Sequence, residues 1–400
     1  TTEQLVAPTT SNGSSSWSVD LDPSRIPLPQ EGTVSVSATA TDQAGNTATD
    51  SGTFVVDRLA TVDVSAPVDG AGGNNILNAA EASSAVISGT STGVQAGAVA
   101  SVAVIPDGGT SASTSTTATI AAPSAPSTDT WSTAPSNPAL NLSALPNGNY
   151  TVQTTVTDGA GNTATDSQAF SINKTPPIFT VTAVAGDNLI NATEAAATLA
   201  PSIAGVVSNA EDGRLVSVTL PGVGSLQPRT LTAQVLGGAW SVPIPSDLLA
   251  GYAASNGTYT ANLSLTNLAG NTATATRDFT VDTAAPVLTL DPVTAVVWGA
   301  SAVDPDTYPL TLSGTVQGLD SNLPVTLVVN GTSFTAVRSN SNSTLWSAAV
   351  PRAVLLALRP SANTLQVSTT DLAGNPVSLN TTFDAIGPDA VPPQIVLPAN

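Results

Sequence analysis

TDQAGNTATD, at residues 41–50, returns as TDGAGNTATD at 157–166, TNLAGNTATA at 266–275 and TDLAGNPVSL at 370–379. The turn glycines Gly45, Gly161, Gly270 and Gly374 are spaced 116, 109 and 104 residues apart. A Trp followed by Ser precedes each copy: Trp17, Trp131, Trp240 and Trp346, spaced 114, 109 and 106. Two landmarks that keep phase through four copies mark a tandem repeat. The segments leading into the turn alternate with period two. Val34, Val36, Ala38 and Ala40 interleave with Ser35, Ser37, Thr39 and Thr41; Tyr259, Ala261, Leu263 and Leu265 interleave with Thr260, Asn262, Ser264 and Thr266. That is the pattern of a strand with one wet face. Gly-Asn then supplies a hairpin turn, because both residues tolerate positive φ. A second strand follows and ends near Phe54, Phe170, Phe279 and Phe383. The chain therefore reads as all-β, in repeats of about 105–115 residues that each suit a sandwich of about seven strands. Helical periodicity is confined to PRAVLLALR at 351–359, one or two turns.

The rest of the composition narrows the chemistry. The 400 residues include no Cys, His or Met, and Lys174 is the single lysine. Nine basic residues face 28 acidic ones, for a net charge of −19. Such a chain has no basic footprint for nucleic acid. Without Cys or His it has no ligands for zinc, haem or iron–sulfur clusters, no histidine triad and no thiol nucleophile. Carboxylates, hydroxyls and amides remain, and these suit hard cations such as Ca2+. No apolar run approaches the ~18 residues of a membrane helix. Abundant Ser, Thr, Ala, Val, Gly and Asn with few charges (9%) suit a long extracellular β-rich protein. The chain opens at Thr1 without a signal peptide and reads as an internal piece of something longer.

Pro-bearing joins after each Phe divide the chain. Residues 1–56 read as the C-terminal part of a truncated domain. Residues 57–172, 173–281 and 282–384 read as three complete domains, and 385–400 as a linker and the start of another. The Ser/Thr/Ala/Pro-rich stretch 109–130 reads as a solvated loop.

The TD-x-AGN-TA turn, the VD-x-x-AP linker and the N-A-x-E-A block resemble the bacterial Ig-like repeats of large biofilm-associated and RTX-type adhesins exported by type I secretion. The resemblance runs over essentially the whole chain. It implies a linear string of Ig-like β-sandwiches at the cell surface, serving as extender segments with Ca2+ at or near the junctions. The glycine-aspartate nonapeptide repeats of such proteins are missing here, as is the Cys pair around a buried Trp of true immunoglobulins.

The residues themselves supply a candidate metal site. GNNILNAAEA at 73–82 and GDNLINATEA at 186–195 align Asn74 with Asp187, Asn75 with Asn188, Asn78 with Asn191 and Glu81 with Glu194. Calcium takes six to eight oxygens from carboxylates, amides and carbonyls, and one such turn offers three or four. We read the linker residues Asp57, Asn173 and Asp282 and the turn acids Asp42 and Asp158 as completing these sites. In this reading each turn acid lies at the base of the preceding domain. The plainer reading is that Asn and Asp cap turns while Glu is solvated at a strand edge. The fourth domain lacks the Asn-x-x-Asn-x-x-Glu block and has Trp298 near that place, and the domain before it has Asn267 where the other copies have a turn acid. The joint at Asp282 is therefore expected to hold calcium most weakly, with Asp304 and Asp306 as its remaining acids.

The adjacent acids Glu211 with Asp212 and Asp304 with Asp306 lack aromatic sugar platforms and read as solvated turns rather than a glycosidase pair. The phased tryptophans read as core packing rather than ligand platforms. The sequence thus favours a non-catalytic, monomeric structural extender of a secreted adhesin, involved in cell adhesion and biofilm formation. Its partners would be neighbouring repeats in the same chain, with host or matrix surfaces met by other parts of a longer protein. A glycan- or host-protein-binding Ig-like module and an accessory region of a polysaccharide-degrading enzyme are the alternatives.

Overall fold

A computed structural model describes residues 28–68, 73–121, 129–133, 140–293, 296–297, 310–339 and 344–386. The chain divides into two compact units, Thr1–Thr175 with Leu268–Asn271, and Pro176–Asn267 with Thr272–Asn400.

In the first unit, Glu31–Thr41 and Thr47–Asp57 form the hairpin that the alternation predicts, in unbroken register from Glu31↔Asp57 to Thr41↔Thr47. Val34, Val36 and Ala38 share its half-buried face. A complete sandwich follows. One sheet joins Thr61–Val64, Ser88–Thr92 and Asp129–Ser132; the other is ordered Ile76–Leu77, Thr163–Ile172, Gly148–Thr157, Val99–Pro106, Thr114–Thr119. Alternate residues Ala100, Val102, Val104 and Tyr150, Val152, Val156 fill the core between the sheets.

The stretch 109–130 is not the loop expected from its composition. Thr114–Thr119 is an edge strand paired with Val99–Pro106, and Ala118 and Ile120 are buried. Thr is β-branched and suits a pleated surface, so a Thr-rich run forms a strand without an apolar stripe to announce it. Residues 122–128 of that stretch lie outside the described residues.

The second unit holds two further sandwiches. In one, Ile178–Val181, Ser202–Ser208 and Ala239–Pro243 face a sheet ordered Leu189–Ile190, Thr272–Val281, Gly257–Thr266, Leu215–Leu220, Arg229–Gln234. In the other, Val287–Leu288, Thr311–Gln317, Leu345–Ala349 and Val337–Arg338 face Thr332–Thr335, Thr326–Val329, Asn363–Thr370 and Pro376–Phe383. Arg352–Leu356 supplies the short helix expected within 351–359. A ten-residue helix, Ser246–Ser255, was not expected; it buries Leu248, Leu249 and Tyr252, whose spacing fits one helical face.

Trp131, Trp240 and Trp346 are core residues, each 4% exposed or less. Each stands opposite a glycine on the neighbouring strand: Gly89, Gly205 and Gly314. A Cβ on Gly89 or Gly314 would lie 2.4 or 2.7 Å from the indole carbon Cζ2 and 2.1 Å from a main-chain oxygen, so the missing side chain is the space the ring occupies. Trp131 and Trp346 donate their indole N–H groups to the oxygens of Thr90 and Thr315, whereas Trp240 Nε1 is buried without a partner. Trp17 and Trp298 lie outside the described residues.

Candidate metal sites at the ends of the sandwiches

The repeated Asn/Glu blocks sit where a short parallel pairing puts them. Ile76–Leu77 pairs with Ser171–Ile172, and Leu189–Ile190 with Thr280–Val281. Asn173 N donates to Leu77 O, and Asp282 N to Ile190 O. Each block therefore borders the linker that leaves its own sandwich. Its side chains hold the local backbone. Asn78 caps the helix Ala79–Ser83 by accepting from Ala80 N and Glu81 N, while Glu81 Oε2 accepts from Asn78 N at 2.9 Å. Asn191 and Glu194 repeat this capping box at Ala192–Ala195. Asp187 Oδ1 accepts from Leu189 N, and Asn188, in the left-handed region at φ 69°, accepts from Val184 N. Asn75 takes the equivalent backbone at φ 61°. The spacing that looked like a ligand set is thus also the spacing of an N-cap and its third residue.

The turn residues form a second recurring device. Asp158 Oδ1 accepts from Ala160 N and Asn162 N, and its Oδ2 from Asn162 Nδ2. Asp42 with Asn46 repeats this set, and Asp371 with Asn375 repeats its Asn part. The Asn side chain and the turn amides hold the Asp42 and Asp158 carboxyls below their ordinary range. The same Asn then reaches a linker. Asn162 Nδ2 donates to Asp57 O (3.1 Å), Asn271 Nδ2 to Asn173 O (2.7 Å) and Asn375 Nδ2 to Asp282 O (2.8 Å). Asn375 Oδ1 also accepts from Ala192 N at 2.8 Å, beside the Asn191–Glu194 box.

These contacts correct the expected grouping. Each turn meets the linker residue that opens its own sandwich. Ten register steps, about 33 Å at about 3.3 Å per residue, separate the Asp42 turn from Asp57. About 30 Å likewise separates the Asp158 turn from Asn173, and also from the Asn75–Glu81 block. Asp42 cannot share an ion with Asp57, nor Asp158 with Asn173, Asn75, Asn78 or Glu81. Asn267 stands at the opposite end of Thr272–Val281 from Asp282, and the turn acid that Asn375 connects to Asp282 is Asp371. Trp298, Asp304 and Asp306 lie outside the described residues.

One carboxylate pair and one carboxylate–carbonyl pair result. The Asp57 and Asp158 carboxylates share Asn162 Nδ2 within the first unit, whereas Asn375 Nδ2 joins the Asp371 carboxylate to the main-chain oxygen of Asp282 within the second. Partial desolvation, then the charges of Asp158 and Glu31, hold the Asp57 carboxyl above its ordinary range. That is the electrostatic demand a cation would meet. Among the described residues no group of three or more Asp, Glu, His or Cys could hold a metal ion. The first place therefore fits a hard cation only as two carboxylates completed by amides, carbonyls and water, and the second as the Asp371 carboxylate with the Asp282 carbonyl and further oxygens. The sequence reading missed Asn162, Asn271 and Asn375. Their signal was the Asn closing every AGN turn, read only as hairpin chemistry.

Comparison with known proteins agrees with this architecture. Residues 66–174 match a bacterial Ig-like domain family, and residues 137–232 match bacterial Ig-like domain (group 3). Over residues 66–232 the chain is thus similar to bacterial Ig-like domains. Similar solved structures include a 1.5-MDa bacterial ice-binding adhesin (24% identity, 83% of this chain and 98% of that one, TM-score 0.38). Another is a Ca2+-stabilized adhesin of an Antarctic bacterium (26%, 88% and 81%, 0.34). A third is a tetra-tandem repeat from the extending region of a large adhesion protein (22%, 89% and 82%, 0.32). No curated protein sequence matches the chain.

Proposed function

We propose that this chain is a structural extender: tandem bacterial Ig-like spacers at about 57–172, 173–281 and 282–384, after the end of one copy and before the start of another. The spacers would belong to a secreted cell-surface adhesin engaged in cell adhesion and biofilm formation, exported by type I secretion. The observation that carries this reading is the linker contact made three times over by Asn162, Asn271 and Asn375. A contact copied from repeat to repeat serves position, not turnover. The carboxylates beside the open hollow near Phe383 are also committed to the fold: Asp291 accepts from Ser313 Oγ and Asp384 from Ala362 N. Among the described residues no helix is long and apolar enough to cross a membrane.

In this reading calcium stiffens the string through Asp57 with Asp158, and through Asp282 with Asp371. Asn173, uncharged and with its main-chain oxygen already accepting from Asn271, contributes less. The cation would offset carboxylate repulsion and draw carbonyl and amide oxygens onto itself. Binding to the folded state alone adds about 2.7 kcal/mol at a hundredfold excess over Kd. Small-angle scattering and calorimetry of the whole chain, with calcium and with chelator, test the proposal. Calcium should raise the melting temperature and the maximum dimension, and Asp371→Asn should blunt both. Identical profiles in calcium and chelator would overturn the calcium reading. A compact, globular particle in both would overturn the extender reading.

A further inference from the structure

Although Glu31 adds its charge beside Asp57, the recurrent position just before the glycine that opens each long hairpin supplies no ligand in the calcium reading. It is occupied by Glu31, Asn147 and Asn256, followed by Gly32, Gly148 and Gly257. In each case its side chain accepts from the backbone N–H of the residue directly after the linker acid or amide. Glu31 Oε1 accepts from Arg58 N at 3.2 Å and Leu59 N at 2.8 Å. Asn147 Oδ1 accepts from Lys174 N at 3.0 Å. Asn256 Oδ1 accepts from Thr283 N at 3.1 Å. Each contact lies within a single unit.

The surroundings reinforce the hold. Asn147 Nδ2 donates to Thr175 Oγ1 at 2.6 Å, and Lys174 Nζ donates to the oxygens of Ser143 and Leu145. Thr283 Oγ1 donates to Ala253 O and is within 3.1 Å of Asn256 Oδ1. Where the fourth copy has Ala362 the polarity is reversed: Asp384 Oδ1 accepts from Ala362 N, and the same two points are joined. One carboxylate, two amides and one inverted pair converge on one kind of connection.

We propose that Glu31, Asn147 and Asn256 are linker clasps. Each fixes the first linker peptide to the base of the sandwich it leaves, with no metal involved. The free rotations of the linker are thereby confined to its far side, so a cation at a joint has only one side left to order. Lys174 gives the Asn173 linker a fixed positive charge bonded to two carbonyls, which is the work a bound cation would otherwise do there.

The test is amide hydrogen exchange on the whole chain in chelator. The amides of Lys174 and Thr283 should be protected well beyond neighbouring exposed amides, and calcium should change that protection less than threefold. Asn147→Ala should lose at least tenfold of the Lys174 protection while amides of 148–157 keep theirs. Asn147→Asp, which preserves the acceptor, should retain it. Unprotected wild-type Lys174 and Thr283 amides in chelator would overturn the clasp, and this needs no variant to fold. So would undiminished Lys174 protection in Asn147→Ala. Loss of the calcium effect on particle length would sink the metal reading and leave the clasp standing, so the two fail separately.

Discussion

Asn375→Ala is the most informative single perturbation. The side chain is 2% exposed and makes three hydrogen bonds: to Asp282 O at 2.8 Å, to Asp371 Oδ2 at 2.9 Å, and from Ala192 N at 2.8 Å. A neutral bond contributes about 1 kcal/mol net and a bond to an ionised carboxylate about 1.5–3. Their loss also strands groups around Asp371, itself 7% exposed. Allowing for water entering the vacated space, the cost is about 3 kcal/mol. For a sandwich of about 100 residues that is at least about 12 °C, at about 4–8 °C per kcal/mol. Asn46→Ala is the internal control. It removes the same turn bond, Asn46 Nδ2 to Asp42 Oδ2, from an exposed turn. Its expected cost is under about 0.5 kcal/mol. Scanning calorimetry of both variants in chelator separates the fold from any ion. If the transition moves by less than about 4 °C in Asn375→Ala, or equally in both, the argument that burial makes this contact strong is wrong.

Other outcomes follow from the same geometry. Gly314→Ala places a Cβ 2.1 Å from Thr289 O and should cost about 2 kcal/mol or more in chemical denaturation, whereas Gly52→Ala, with open space around it, should be close to neutral. Asn191→Ala should cost about 1 kcal/mol in chelator, because it removes an N-cap; a loss seen only with calcium would make Asn191 a ligand instead. Asp57→Asn should raise stability at neutral pH in chelator, since the folded pKa of Asp57 is raised and its charged form disfavours the fold; the gain should shrink as pH falls through the folded pKa and vanish below the unfolded value near 3.8. Asp158 has the opposite sign: its folded pKa is depressed, so its contribution is present above the unfolded value near 3.8 and is lost on acidification through the folded one, which Asn162→Ala should reduce in a pH–melting series.

The strands and hairpins could be read from the sequence wherever period two was written in apolar residues, as at 259–265, and wherever Gly-Asn marked the turn. Thr114–Thr119 escaped because its inward positions are largely threonines. Ser246–Ser255 escaped because three buried residues in ten give little periodicity. The capping blocks were visible as repeats, but their location was not. It is fixed by a two-residue parallel pairing between positions about 95 apart in sequence, which leaves no local trace. The glycines opposite each Trp were equally silent, because a missing side chain reports a neighbour only once the register is known.

The bond from Asn375 to Asp282 spans 93 residues. It closes only when the last hairpin of the sandwich has formed, so the joint and the sandwich stand or fall together. Under tension, a pull that opens this sandwich also frees its upstream attachment. About 300 Å of slack would then be released at about 3.3–3.6 Å per residue. In the extender reading, such a chain would yield in discrete lengths before its covalent backbone bears the full load.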